Sequence, residues 1–306
     1  MMLSKGVYLM HCEPFEYEKP VSLREFESLY AAKAEDARIL AGGTDLMVLI
    51  KEKLLAPRIL IDISDLHELR GISWDPRQGL TIMAGTKVAE IERSALVKEH
   101  APALAYAAAN LGSNQVRWMA TMAGNICHAS PAAETPPVLL AHDCELIIGR
   151  QGGERILPIS RFFLSYRKTA LEPGEYLKAF RLPPLSERSA VAYRFKGLRK
   201  AMEIDMLNIG AYLELSGDST LAVEVRLAMG SVGPTTYRAT ATEQKLKGMQ
   251  ISEEFFAAAC NGVVQEATPI DDVRASAEYR NRVIGVLTRR ALEQCLEIIA
   301  TRRTQA

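Results

Sequence analysis

The sequence predicts an α+β fold in two parts. Short apolar, β-rich runs alternate with helical patterns through the first part of the chain, whereas strand-like runs come first and helices afterwards in the second. Between them, Pro183 and Pro184 followed by the polar residues 186–189 make the best linker.

In chain order, residues 22–37 read as a helix: Ser22 stands as N-cap with Glu25 three positions on, and Leu23, Phe26, Leu29 and Tyr30 fall on one face. Residues 38–43, RILAGG, read as a buried strand that ends in a glycine pair. Residues 58–66 and 80–92 are further β-rich runs, the second turning into helix at about Lys87. Residues 102–111 are Ala-rich and helical in propensity, and residues 112–125, GSNQVRWMATMAGN, read as loop from their polar and glycine content. Gly152-Gly153 suits a hairpin turn between two strands. Residues 189–198, 209–217 and 220–236 then read as strands, and 240–249, 252–267 and 277–299 as helices. The expected boundary is near residue 187, giving a domain at 1–186, with subdomains at about 1–65 and 66–186, and a C-terminal domain at 187–306.

A chain of 306 residues is long enough for two packed cores, and 48% hydrophobic with 24% charged residues is ordinary globular composition. Lys plus Arg balance Asp plus Glu at 37 each, so no net field favours nucleic acid or a membrane surface as partner. His11, Cys12 and Glu13 interrupt the N-terminal apolar run, and no stretch approaches the ~18 apolar residues of a membrane helix. The five scattered cysteines fit a reducing compartment. A soluble, cytoplasmic protein is the expectation.

Two segments carry the chemistry. Gly42-Gly43 at a strand end permits positive φ, removes Cβ atoms from the path of a ligand, and lets consecutive amides form an anion-binding nest. A plain tight turn would explain an isolated pair, but Thr44 and Asp45 add a hydroxyl and a carboxylate beside these amides. The dinucleotide fingerprint G-x-G-x-x-G and the phosphate loop ending in Gly-Lys-Ser/Thr are both missing from the useful context. The second segment, residues 121–125, again offers small residues, a hydroxyl and an amide, and leads to Ser130-Pro131 and Glu134. Such a set suits a pyrophosphate held by amides and ribityl or ribose hydroxyls held by side chains. Acid–base or nucleophilic work is less natural for it.

LAGGTDLMVLIK, IDISDLHELRGI, AGTKVAEIE, LGSNQVRWMATMAGNICHASPAAETPPVLLAHDCEL and FKGLRKAMEIDMLNIGAYLEL, in that order, resemble the FAD-binding subunit of the molybdenum hydroxylases, the group of xanthine dehydrogenase and the medium subunit of carbon monoxide dehydrogenase. The resemblance runs from about Phe15 to the C-terminal helix. It implies a two-part FAD-binding domain of the vanillyl-alcohol-oxidase/PCMH type, then a C-terminal α+β domain like that of the CO dehydrogenase flavoprotein. It carries Leu40, Ala41, Gly42, Gly43, Thr44, Asp45 and Leu46 over as FAD contacts, with Gly112, Thr121, Gly124 and Asn125 completing the cradle. Ala123 stands where the family commonly has glycine, and Glu134, where aspartate is usual, should reach a ribityl or ribose hydroxyl. Leu111 and Leu177 match positions near the flavin ring, and Lys196 a lysine by its polar edge.

The resemblance also implies FAD as this chain's cofactor, with a molybdenum cofactor and [2Fe-2S] clusters in partner subunits only. The partners would be a molybdopterin-binding large subunit and a [2Fe-2S] small subunit, with NAD+ or another compound as electron acceptor. A self-contained FAD-dependent oxidoreductase and a flavin-free assembly or binding protein of the same fold are the alternatives. Cys127, His128, His142 and Cys144 invite a metal reading, but their spacing matches no standard zinc or iron–sulfur pattern.

Overall fold

The computed structural model describes residues 12–199 and 202–305. The N-terminal apolar run up to His11 lies outside them. Its first unit is β1 (Glu16–Glu18), α1 (Leu23–Lys33), β2 (Ala37–Leu40), α2 (Leu46–Lys51) and β3 (Ile59–Asp62), with the strands parallel in the order β1-β3-β2. Ser22 Oγ accepts from the Glu25 amide at 3.3 Å, and the Glu25 carboxylate accepts from the Val21 amide at 2.8 Å. The cap read from sequence is present, with its return bond one residue early. The predicted face of α1 packs Phe26, Leu23, Leu29 and Tyr30 against Ala37, Ile59, Ile61 and Tyr176.

The second unit opens with β4 (Ile72–Asp75), β5 (Gly79–Met83), α3 (Val88–Arg93), α4 (Ala95–His100), α5 (Pro102–Asn110), α6 (Asn114–Met119), α7 (Met122–Cys127) and α8 (Thr135–Ala141). It closes with β6 (Glu145–Arg150), β7 (Gly153–Pro158), β8 (Phe163–Ser165), β9 (Lys168–Thr169) and β10 (Tyr176–Leu182). Its main sheet is antiparallel in the order β4-β5-β10-β6-β7, so its latest strand lies at the centre. β8 and β9 form a separate hairpin. The expectation of loop across residues 112–125 is corrected, because α6 and α7 occupy most of them. Ser113 Oγ accepts from the Val116 amide at 3.2 Å and Thr121 Oγ1 from the Gly124 amide at 3.1 Å. Helices of six residues leave too short a hydrophobic period to see, so the polar caps dominated the reading.

The third unit is β11 (Ser189–Lys196), β12 (Leu207–Leu215), β13 (Ala222–Gly230) and β14 (Tyr237–Arg238), antiparallel in that order, then α9 (Thr240–Leu246), α10 (Glu253–Glu266) and α11 (Ala277–Gln305). Side chains alternate across β11. Ala190 and Ala192 join the core with the helical residues Phe255, Ala259, Ile284 and Leu292, whereas Val191 and Tyr193 join Leu104, Val138 and Leu139 of the second unit. A Cβ on Gly210 would lie 2.2 Å from the Pro137 carbonyl oxygen, so β12 and α8 meet backbone to backbone. This contact sets the N-terminus of α8, and Glu134 before it, against the C-terminal sheet. Among the described residues, no helix is long and apolar enough to cross a membrane.

Candidate functional site

β2 delivers the chain into residues 41–45. Gly43 has φ 70°, the left-handed region that glycine enters without steric cost, and its carbonyl accepts from the Met47 amide at 3.0 Å as α2 begins. Gly42 serves differently from the expectation of clearing a ligand's path. A Cβ there would lie 2.2 Å from the Met119 carbonyl oxygen and 2.9 Å from Ala120 Cα, so the absence of a side chain lets this loop touch the α6–α7 connection.

From that connection, Thr121 caps α7, and Gly124 sits inside the helix with Thr121 Oγ1 3.0 Å from where its Cβ would be. Ala123 stands in helix and is not among the positive-φ residues, so a methyl group is accommodated where the family commonly has glycine. Asn125 Oδ1 accepts from Thr135 Oγ1 at 2.5 Å, tying α7 to the start of α8.

A cavity of about 650 Å³ opens between these segments, within the range of about 300–1,000 Å³ usual for cofactor sites. All of the residues expected to touch FAD line it except Leu40 and Lys196. Leu40 pairs with Asp62 at the end of β2, and its Cδ1 would stand 3.1 Å from a Cβ on Gly43. Lys196 is exposed at the end of β11 and lines a second cleft of about 290 Å³ with Leu198, Met206, Arg274 and Tyr279.

Sequence reasoning missed several wall residues: Tyr30 and Arg38 from the first unit, Arg167 from the β8–β9 turn, and Glu203 and Ile204 from the β11–β12 connection. No local motif marks them, because tertiary packing alone brings them to the cavity. The four candidate metal ligands go to different places. Cys127 and His128 line the cavity, whereas His142 and Cys144 are fully buried beyond α8. Among the described residues, no three His, Cys, Asp or Glu side chains gather as a metal site.

Glu134 is 7% exposed; burial first, then the neighbouring Asp205 and Asp45, push its carboxyl up to about 8, so it is a neutral acid at pH 7. Burial raises Asp205 to about 6, although Tyr193 Oη at 2.7 Å and Asn208 Nδ2 at 2.9 Å both donate to Oδ2 and oppose the shift. His128 Nε2 lies 3.7 Å from Asp45 Oδ1, and burial lowers the imidazole's pKa despite that carboxylate. Burial pushes the Cys127 thiol up to about 12, which removes it as a nucleophile.

Two loops brought together through bare backbone at Gly42, a helix start capped by Thr121 and a neutral acid fit a dinucleotide cofactor better than acid–base catalysis. The buried leucines Leu111 and Leu177 in the lining offer apolar surface for an aromatic ring system.

Comparison with known proteins agrees with this reading. Residues 13–185 match the family model described as the FAD binding domain in molybdopterin dehydrogenase, and residues 192–295 match the CO dehydrogenase flavoprotein C-terminal domain. The chain is 31% identical over 281 residues to the xanthine dehydrogenase FAD-binding subunit of Escherichia coli O157:H7, covering 92% of this chain and 95% of that one. It is 30% identical over 280 residues to the carbon monoxide dehydrogenase medium chain of Hydrogenophaga pseudoflava, covering 91% and 96%. The solved carbon monoxide dehydrogenase of Hydrogenophaga pseudoflava that lacks the Mo-pyranopterin moiety superimposes with a TM-score of 0.89 at 29% identity, covering 94% of this chain and 99% of that one.

Proposed function

This chain belongs to the family of FAD-binding subunits of the molybdopterin dehydrogenases, and on that premise we propose that it passes electrons from the [2Fe-2S] clusters of a small partner subunit to NAD+ or another acceptor. The assembly would include a molybdopterin-binding large subunit where the substrate is hydroxylated. FAD, when bound, supplies the exchange between single electrons and an electron pair. The chain's own residues bind, orient and shield it.

Residues 41–45 and the Thr121–Asn125 turn would hold the cofactor's polar middle through main-chain amides and the Thr44 and Thr121 hydroxyls. Glu134, protonated at neutral pH, has a proton to donate to a ribityl or ribose hydroxyl. Leu111 and Leu177 would give the ring system apolar surface. We place the domain boundary near residue 187, between β10 of the second sheet and β11 of the third. All five cysteines are free, which supports a reducing, cytoplasmic setting.

The observation that carries this reading is the backbone contact of Gly42 with Met119–Ala120, which frames the cavity from two separate sheet units at the two motifs matched to the family. The test is a visible absorption spectrum after incubation with FAD and gel filtration, followed by NADH without oxygen. A retained flavin band that bleaches is expected, with no substrate hydroxylation by the chain alone. Retention without bleaching would replace NAD+ by another acceptor. Hydroxylation by the isolated chain would overturn the subunit assignment.

A further inference from the structure

The cavity wall carries more acidic than basic side chains, and most of the acids have partners of their own or are uncharged. Glu175 is held by Arg155, with Nε and one terminal nitrogen each 2.7 Å from a carboxylate oxygen. The Glu203 carboxylate accepts from the backbone amides of Leu198 and Arg199. Asp45 faces His128 at 3.7 Å, and Glu134 is a neutral acid at pH 7.

The two guanidinium groups on the wall stand otherwise. Arg38 lies at the end that holds Tyr30 and donates to the Ala37 carbonyl at 2.8 Å. Arg167 has no carboxylate within ion-pair distance among the described residues; its one ring contact is with Tyr166, 5.3 Å from guanidinium carbon to centroid. Neither wall guanidinium has an ion-pair partner among the described residues, but Arg38 is engaged with its own strand's carbonyl, whereas Arg167 makes no side-chain hydrogen bond there.

Its position is also fixed by the fold. The β8–β9 hairpin pairs Phe163 with Thr169 and Ser165 with Lys168, leaving Arg167 in the turn with φ 54°. A non-glycine residue in that region is uncommon and is kept there by its surroundings. The Arg167 amide donates to the Ala129 carbonyl at 3.3 Å, which docks the turn on the chain just after α7, beside His128. That docking sets the turn next to His128, which lines the same cavity as Arg167.

We propose that Arg167 is a phosphate-recognition residue that reaches from the β8–β9 turn to pair with the phosphates of the bound dinucleotide. This rests on FAD occupying the cavity. The glycine segments offer neutral amides, whereas a guanidinium supplies a full charge and paired donors matched to phosphate oxygens. Of the nearby acids, Glu134 is uncharged and Glu175 is paired with Arg155, which leaves the Arg167 guanidinium able to turn to a phosphate.

The test measures FAD affinity of the full chain by flavin fluorescence at low and high salt, for wild type, Arg167→Gln and Arg167→Lys. Losing a charge-assisted contact at an exposed arginine should weaken FAD binding by about tenfold at low salt. The gap should narrow as salt rises, and lysine should recover part of the loss. Affinity of Arg167→Gln within about twofold of wild type would overturn the proposal. So would a loss that is equal at both salt concentrations and not relieved by lysine, since that pattern marks a purely structural role. If wild type itself takes up no FAD, the reading of the cavity falls first and the assignment of Arg167 with it.

Discussion

Gly42 approaches the carbonyl of Met119 so closely that a Cβ on it would lie 2.2 Å from the oxygen. Two sheet units therefore meet through bare backbone at the cofactor cavity. Gly42→Ala must push residues 41–45 away from the α6–α7 connection, with main chain on both sides and no flexible side chain to yield. A destabilisation on the order of 1–3 kcal/mol is expected, together with lost FAD retention. At Gly43 the obstacles are the movable side chains of Leu40 and Met47, so Gly43→Ala should cost about 1 kcal/mol, mainly for its φ of 70°. Thermal melts and FAD titrations of both variants check the ranking. A smaller loss at position 42 than at 43 would refute the backbone contact.

Glu134 gives a pH signature with a definite sign. Its carboxyl is raised in the folded state to about 8, by burial and then by Asp205 and Asp45, and Glu203 and His128 also line the cavity. A raised carboxyl contributes stability that is fully present below its unfolded value, about 4.5, and is lost as pH rises through about 8. Glu134→Gln copies the neutral acid at every pH. The variant should match wild type near pH 5 and exceed it at pH 9, by on the order of 1–3 kcal/mol. Melting temperatures across that range decide it, and parallel pH profiles would mean that Glu134 is ionised at neutral pH.

These two residues also show what the sequence exposes. Gly42-Gly43 after an apolar strand and Thr121–Asn125 before Ser-Pro are contiguous signals, and the Ser22 cap with Glu25 is equally local. Arg167 gives no such signal, because a hairpin turn and its docking on Ala129 decide where the side chain goes. Glu203 and Ile204 reach the cavity only because the β11–β12 connection folds back over it. Alternation in β11 predicts two faces, but only the assembled fold shows that Val191 and Tyr193 join the core of the preceding unit. The backbone contact of Gly42 is illegible for the same reason: its neighbour, Met119, lies far along the chain and contributes only a carbonyl.

Lys196 separates what resemblance implies from what the packing shows. The resemblance implies a place by the polar edge of the flavin, whereas the fold ends β11 at an exposed Lys196 whose carbonyl accepts from the Met206 amide at 2.9 Å. The segment returning through Glu203 and Ile204 lies on the cavity wall, and Lys196 belongs to the neighbouring cleft with Arg274 and Tyr279. A cation there is screened by water and contributes little to a buried ring. Lys196→Ala should leave FAD affinity within about twofold of wild type and the flavin midpoint potential unshifted. A clear fall in midpoint potential would show that Lys196 reaches the flavin after all, which requires the β11–β12 connection to move when the cofactor binds.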